Sequence, residues 1–317
     1  MFISAVGHSE DPDAINTVSE LKEQIEPALK GHKPKAGILF SAIDFDHEEL
    51  LTAIGNCWPD LELIGCTTDG EVSSELGFAE DSVALILFAS DTIDITAGLG
   101  EGLADDAELA CRQAVKMAYS KSDKKSALCI TLPDALSFSG QSIVNTLVSE
   151  LGKNVPLIGG AAGDQWQLEK TFQFMGKKVF SGTVPVLLFS GPLEFSFALG
   201  VGCHMIGDPA TVTKADGPIL QEINSEPAVK YYQKMIGNKA TRATEIPLAV
   251  LTDQGEIDYL RTPATDFDTE TGAVPMFADI SEGAKVRTAI MNKDSLLASC
   301  SQTAETVLSR YHSINNP

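Results

Sequence analysis

Two stretches of the chain, LIGCTTDGEV (63–72) and LIGGAAGDQW (157–166), end an apolar run in the same way. In both, Leu-Ile-Gly is followed by small residues and an acid. An apolar run that stops at glycines predicts a strand that ends in a tight turn, because glycine adopts backbone angles that other residues avoid. Two copies of this pattern in one chain predict a repeated structural unit.

The sequence on either side of the two turns supports a repeat. Buried strands are predicted at AGILFSA (36–42) and SALCITL (126–132), each followed by a helix. After the turns, SVALILFAS (82–90) and TVPVLLFSG (183–191) are near-copies. Amphipathic helices are also predicted ahead of the first pair of strands, because their apolar residues recur at helical spacing. Each copy is therefore expected to run strand, helix, strand, helix, strand, turn, strand.

These copies define the expected domains. We expect repeats at about 1–94 and 95–196 to form an N-terminal domain over 1–204. FALGVGCH (197–204) reads as a third strand of the same kind, after which the chain departs from the pattern. A smaller, related α+β domain is expected over 205–317. The fold class is thus α/β, or mixed α+β, with internal duplication.

The C-terminal domain has its own predicted elements. Helical spacing predicts helices at 217–237 and 295–312, and a hairpin is expected at 246–263, with its turn at Gln254-Gly255. Strands are predicted within 274–291.

Composition excludes several functions. The 317 residues carry a formal charge of −21, which would repel phosphate backbones and anionic lipid, so we expect neither nucleic-acid binding nor membrane insertion. No apolar run reaches the ~18 residues of a membrane helix. The N-terminus lacks the basic region of a signal peptide, and the six cysteines show no CxxC spacing. We therefore expect a reduced, cytoplasmic protein.

Three other motifs are better explained as structure. GLGEG (98–102) has the wrong spacing for a dinucleotide loop. DFDHEE (44–49) offers possible metal ligands, but its acids also suit a helix start, where Asp46 would cap free N–H groups. DFDTETG (266–272) lacks the glycine and the closing glutamate of a calcium loop. No metal site is predicted.

Two reactive arrangements are kept as alternatives. Cys66 and His204 could form a nucleophile and a base in a cysteine-dependent hydrolase, although they lie in different repeats. His8 and His204, each at the end of a repeated strand, are candidate haem ligands. Turn or surface histidines are the structural alternative.

The two turns remain the main candidates for a binding site. Their glycines let a backbone approach a ligand, and their N–H groups can bind a carboxylate while Glu71 or Asp164 binds an ammonium group. The structural alternative is tight packing between two related half-domains, where only small residues fit. The residues alone do not separate these two interpretations.

Several blocks of this sequence resemble the FIST family over nearly the whole chain. They are LIGCTTDGEV, VPLIGGAAGD, LLFSG, TVTKADGPILQEINSEPAVKYYQKMIG and DISEGAKV, and they cover both its N-terminal and C-terminal domains. The resemblance implies a cytoplasmic sensory domain of signal transduction that binds a small ligand such as an amino acid. It also implies a partner such as a histidine kinase, a diguanylate cyclase or a chemotaxis receptor.

The same resemblance implies a set of ligand-binding positions. In the first turn they are Cys66, Thr67, Thr68, Gly70 and Glu71; Gly65 also matches the family's pattern, and Asp69 replaces its alanine. In the second turn they are Gly159, Gly160, Gly163 and Asp164, with Ala162 also matching the pattern. The family's arginine falls on Arg261, which would bind a ligand carboxylate; a salt bridge to one of the neighbouring acids is the structural alternative. The second turn lacks the cysteine and both threonines, so we expect Cys66, Thr67 and Thr68 to tune ligand choice and to do no chemistry.

A subset of the family binds haem and senses nitric oxide, which makes a haem-based sensor the first alternative. GVGCHMIG (201–208) departs from the family's His-Gly-Trp-like stretch and weakens that alternative. The leading expectation is therefore a non-enzymatic sensor without a cofactor.

Overall fold

The computed structural model describes residues 1–136, 140–237, 246–264 and 270–311. Helices and strands are mixed along the chain, which confirms the expected α/β class. The chain divides into two units, Met1–Leu193 and Glu194–Pro317, whereas the sequence placed the domain boundary at 204. Among the described residues, no helix is both long and apolar enough to cross a bilayer.

The first unit contains two successive series of elements in the same order. The first series is β1 (Phe2–Ser9), α1 (Ala14–Leu29), β2 (Ala36–Ser41), α2 (His47–Cys57), β3 (Glu62–Thr67), β4 (Glu71–Ser73), β5 (Gly77–Ala79) and β6 (Val83–Ser90). The second is β7 (Asp94–Gly100), α3 (Ala107–Tyr119), β8 (Ser126–Thr131), α4 (Gly140–Leu151), β9 (Leu157–Gly159), β10 (Gln173–Met175), β11 (Lys178–Phe180) and β12 (Val184–Ser190). Each series has a short hairpin between its turn and its last strand, which the sequence did not predict.

The strands of this unit form two main sheets. Their orders are β1-β6-β2-β3-β10-β11 and β7-β12-β8-β9, and within the described ranges β4 pairs only with β5. The hairpin β10–β11 belongs to the second series but extends the first sheet, where Gln173 lies opposite Cys66 and Phe174 opposite Gly65. The two halves are therefore interlocked through main-chain pairing.

Helix starts in this unit follow local chemistry. Asp13 accepts hydrogen bonds from the N–H groups of Ile15 and Asn16 at the start of α1. Asp46 accepts one from the N–H of Glu49 at the start of α2, at 3.0 Å, as expected for its place in DFDHEE. No cluster of three or more potential metal-ligating side chains is found in the part of the chain that the structure describes.

Gly65 and Phe174 form a tightly packed contact between the two series. A Cβ atom at Gly65 would lie 2.9 Å from Cδ2 of Phe174 and 2.3 Å from the carbonyl oxygen of Leu39. Only glycine leaves the notch that the phenyl ring occupies, and Phe174 is fully buried there. His47 covers the same ring, at 5.0 Å between ring centroids.

The second unit contains one antiparallel sheet and two helices among its described residues. Its elements are β13 (Cys203–Asp216), β14 (Ile219–Ile223), β15 (Glu226–Pro227), α5 (Ala228–Ile236), β16 (Leu248–Leu251), β17 (Ile257–Arg261), β18 (Val274–Pro275), β19 (Lys285–Met291) and α6 (Lys293–Arg310). The sheet order is β15-β14-β13-β19-β16-β17, with β18 beside β14. The hairpin expected at 246–263 is confirmed as β16–β17.

Two sequence-based expectations for this unit are wrong. Residues 194–202 form no strand, so the strand expected at 197–204 is replaced by β13, which begins at Cys203. The helix expected at 217–237 is confined to α5, because Asn224 and Ser225 take positive φ values of 52° and 62° and turn the chain between two strands. Most of the loop DFDTETG, and His312, lie outside the described residues.

We predict that Phe174→Ala lowers the free energy of unfolding by about 3–5 kcal/mol, because it empties a buried notch at the junction of the two halves. Urea unfolding of dilute protein measures this. Val72 occupies the corresponding place in the β4–β5 hairpin and is 75% exposed, so Val72→Ala should change stability by less than about 0.5 kcal/mol. Equal effects of the two substitutions would contradict the interlocked arrangement.

Candidate functional site

The two turns predicted to form a site contact each other directly. The N–H of Gly163 donates a hydrogen bond to the carbonyl oxygen of Thr67 at 2.8 Å. The N–H of Gln165 donates to Oδ1 of Asp69 at 2.7 Å. A Cβ at Gly163 would lie 2.5 Å from that same oxygen, so the close approach requires glycine. We call residues 67–70 and 159–163 together the turn surface.

The two halves of the turn surface differ in character. In the first half, Thr67 is buried, and its hydroxyl accepts the N–H of Phe172 at 3.1 Å, while Thr68 is half-buried and Asp69 is exposed. In the second half, Gly159 and Gly160 are exposed, and a Cβ at Gly160 would meet nothing within 4 Å. The first half therefore presents polar side chains, and the second presents backbone.

Glu71 lies beneath the turn surface and does not face solvent. It is only 2% exposed, and its carboxylate accepts hydrogen bonds from the hydroxyls of Thr68 and Ser82. Burial raises the pKa of the Glu71 carboxyl above its ordinary value, more than these two hydrogen bonds lower it. Both oxygens are thus occupied within the protein, and direct binding of a ligand ammonium by Glu71 stays a prediction.

His8 continues the same buried network. Its ring nitrogens lie 2.7 Å from Oγ of Ser73 and 2.8 Å from Oγ of Ser82. The side chain is fully buried, and this burial lowers the pKa of His8, which favours the neutral imidazole. With one nitrogen as donor and the other as acceptor, a continuous chain of hydrogen bonds links Ser73 in β4 to Thr68 in the turn.

Sequence reasoning missed this network, which we call the buried relay and define as Thr68, Glu71, Ser82, His8 and Ser73. One signal could have revealed it. In the second series, Gln173 occupies the place of Glu71, and its Oε1 accepts both the N–H and the hydroxyl of Thr183 at 3.2 Å. A buried acceptor paired with a hydroxyl residue ahead of the last strand recurs in both halves.

Asp164, the acid of the second turn, also faces inward. Its carboxylate accepts the N–H groups of Leu168, Glu169 and Lys170 at 3.0, 2.7 and 3.2 Å. The loop that it holds has positive φ values at Gln165, Trp166 and Leu168, and the side chain of Trp166 is 65% exposed. Asp164 therefore shapes the loop beside the turn surface, and its expected contact with a ligand stays untested.

Cys66 does not have the surroundings of a nucleophile. It is fully buried within β3, between Phe40 of β2 and Gln173 of β10 in the strand pairing. Burial raises the pKa of the Cys66 thiol far above its ordinary value, so the thiolate that a hydrolase needs is disfavoured.

The histidines and Arg261 complete the expected set. Because serine hydroxyls engage both ring nitrogens of His8, that residue does not fit a haem ligand. His204 is exposed in β13, opposite Ile290 of β19. In the second unit, the Nε–H of Arg261 donates to the carbonyl oxygen of Asp279 at 2.6 Å, and its guanidinium lies 4.1 Å from the ring centroid of Tyr259. Its role as a ligand anchor stays a prediction.

A charged cleft of about 410 Å³ lies elsewhere in the first unit. Lys35, Glu62, Asp94 and Lys121 line it together with five other residues, none of which belongs to the turn surface. Three ion pairs offset most of its charges: Lys121–Glu62 at 2.7 Å, Lys124–Asp94 at 2.8 Å and Lys33–Asp60 at 3.4 Å. It is a concave region that a binding experiment has to distinguish from the turns.

The first unit is thus an interlocked α/β domain in which two glycine turns contact each other. The chain belongs to the FIST family, because residues 35–226 match the FIST N domain. This is a family of sensory domains in signal transduction. The C-terminal FIST domain suggested by the sequence stays a prediction.

Relatives of the chain are themselves uncharacterized. One, from Methanocaldococcus jannaschii, is 28% identical over 199 residues, which is 60% of this chain but only 37% of that protein. Another, from Mycobacterium tuberculosis strain H37Rv, is 23% identical over 89% of this chain and 75% of its own length. A solved cyanuric acid hydrolase from A. caulinodans covers 86% of both chains at 10% identity, but its TM-score of 0.31 is too low to support a conclusion.

We predict that Glu71→Gln changes how stability depends on pH. Because the folded-state pKa of Glu71 is raised, the stabilisation of its neutral form is complete below the ordinary value of 4.5 and is lost as the pH rises through the folded-state pKa. The neutral amide avoids that loss, so the variant should gain stability relative to the wild type between pH 4.5 and neutrality. Urea midpoints across this range measure the difference, and a constant difference would refute a buried, neutral-favouring site.

We also predict that Asp164→Asn lowers the free energy of unfolding by about 1–3 kcal/mol, because the amide leaves one of three backbone N–H donors without an acceptor. Glu169→Gln, an exposed change in the same loop, is the matched control and should be close to neutral. If both variants unfold at the same urea concentration as the wild type, Asp164 does not hold the loop.

Proposed function

We propose that the protein is a cytoplasmic sensor that binds a small, amino-acid-like metabolite at the turn surface and passes its state to a signalling partner. The observation that carries this proposal is the pair of hydrogen bonds between the turns, Gly163 to Thr67 and Gln165 to Asp69. A ligand that contacts one turn is thereby coupled to the other half of the domain. Membership of a sensory family supports the same function.

The chemistry of the turn surface suits a zwitterion. The exposed carboxylate of Asp69 can accept an ammonium group, and the hydroxyl of Thr68 offers a neutral partner beside it. The exposed backbone at Gly160 and Ala161 offers N–H groups for a carboxylate. In this proposal Glu71 and Asp164 shape the site from below, since their oxygens already accept internal hydrogen bonds.

The buried relay would connect ligand binding at Thr68 to the β4–β5 hairpin. If the ligand takes the hydroxyl of Thr68 as its own partner, the carboxylate of Glu71 loses one of its two donors. Losing a hydrogen-bond donor raises the free energy of the buried, ionised carboxylate relative to the neutral acid. The change reaches Ser82, His8 and then Ser73 in the β4–β5 hairpin. A histidine kinase, diguanylate cyclase or chemotaxis receptor is the partner class that the family implies.

A thermal-shift screen with amino acids and related metabolites tests this function. A ligand of the native state at 100 times its Kd should add about 2.7 kcal/mol, which gives a measurable rise in Tm. Asp69→Asn and Thr68→Val should each weaken binding about tenfold or more, the loss of roughly 1.4 kcal/mol of interaction.

Two further variants locate the site. Glu75→Gln, an exposed change on the neighbouring hairpin, should leave affinity unchanged. Lys35→Gln changes the charged cleft and should also have no effect. If Lys35→Gln abolishes binding while Asp69→Asn and Thr68→Val do not, the ligand occupies the cleft and the proposed site is wrong.

A further inference from the structure

The two hairpins of the first unit, β4–β5 and β10–β11, differ in whether they join a main sheet. β10–β11 pairs with β3 and buries Phe174 in the notch at Gly65. β4–β5 stands at the same place in the order of elements, yet it pairs with no strand outside itself among the described residues. Val72 and Phe78 lie opposite each other across this hairpin and are 75% and 64% exposed.

The inner face of the β4–β5 hairpin is already satisfied. Glu71 and Ser73 point from β4 into the buried relay with Ser82 and His8. The outer face, with Val72 and Phe78, carries the only large apolar side chains of β4 and β5. Two adjacent exposed apolar residues on a hairpin with a free edge are typical of a contact surface.

The matching acceptor is the outer edge of β9. β9 ends its sheet, and Ile158, Gly159 and Gly160 are exposed. Its Leu-Ile-Gly sequence is that of β3, whose outer edge receives β10. A Cβ at Gly159 would lie 1.9 Å from the carbonyl oxygen of Thr131, so glycine is required here as it is at Gly65. The strand type that binds a hairpin in one half is therefore open in the other.

We propose that the β4–β5 hairpin of one chain adds to β9 of a second copy, by the same pairing that β10 makes with β3. Transferring that register places Val72 opposite Gly159, the counterpart of Phe174 opposite Gly65. Each copy offers one hairpin and one edge. Two copies can therefore exchange hairpins in a closed, two-fold symmetric dimer with two identical contacts.

Charge sets the expected salt dependence of this dimer. Two copies of a chain with a formal charge of −21 repel each other, so apolar contact and backbone hydrogen bonds must hold the interface. Salt screens the repulsion and leaves those contacts in place. The association should therefore become tighter as salt is raised, which is the opposite of an interface held by ion pairs. The association itself needs no ligand, but the same register places the added strand opposite Gly160 of the turn surface, so a ligand bound there would compete with it.

Light scattering of the full chain after size exclusion measures the association. The wild type should approach twice the 33.7 kDa of one chain, more completely at high salt. Val72→Lys with Phe78→Lys removes the apolar donor face, and Ile158→Asp places a charge on the acceptor edge; each should halve the mass. Leu109→Lys, which changes a half-exposed leucine in α3 far from both proposed contacts in the order of elements, should leave the dimer intact.

Mixing the two interface variants gives the decisive result. Neither can form a good contact with itself, but the intact hairpin of the Ile158→Asp chain can bind the intact edge of the Val72→Lys/Phe78→Lys chain. Native mass spectrometry should show the mixed dimer and neither homodimer. A monomeric wild type at all salt concentrations, or interface variants that remain dimers, would overturn the proposal. So would protection of the Val72 and Gly159 amides from hydrogen exchange in a monomer.

Discussion

The ring of Phe174 in the notch above Gly65 is the contact on which the first unit depends. It fixes a hairpin from the second half of the unit on the sheet of the first half. That crossing brings the chain from Asp164 to Phe172 past the end of β3, where Thr67 exchanges hydrogen bonds with Phe172 and Gly163. Without this packing, nothing in the sequence would require the two turns, 94 residues apart, to meet.

Once the turns meet, their acids face different surroundings. Asp164 accepts three backbone N–H groups from the loop that follows it. Glu71 is buried and accepts the hydroxyls of Thr68 and Ser82, and burial raises the pKa of its carboxyl. The corresponding residue of the second half is Gln173, a neutral side chain. The fold therefore accommodates a neutral hydrogen-bond acceptor at this position. Of the two equivalent side chains, only Glu71 can titrate.

Much of the first unit could be predicted from sequence because its signals are local. Apolar periodicity located the helices and long strands, and repeated Leu-Ile-Gly turns indicated paired elements. The three-residue strands of the hairpins were too short to show a period, and the placement of β10 on β3 depends on residues far apart in sequence. The buried relay was hidden for the same reason, since His8 meets Ser73 and Ser82 across 65 and 74 residues. In the second unit, the helix expected at 217–237 was wrong in its first half, because Asn224 and Ser225 form a turn between two strands.

The asymmetry of the turn surface follows from this arrangement. Around Gly160 the space is open, so the second turn needs no side chains and presents backbone. The first turn is packed against Phe172 and the relay, so Thr67 and Thr68 already have hydrogen-bond partners within the protein. Only the first turn is therefore linked, through Glu71 and His8, to the unpaired β4–β5 hairpin. In the proposed sensor, a ligand bound at the two turns would therefore act on the β4–β5 hairpin and not on β10–β11.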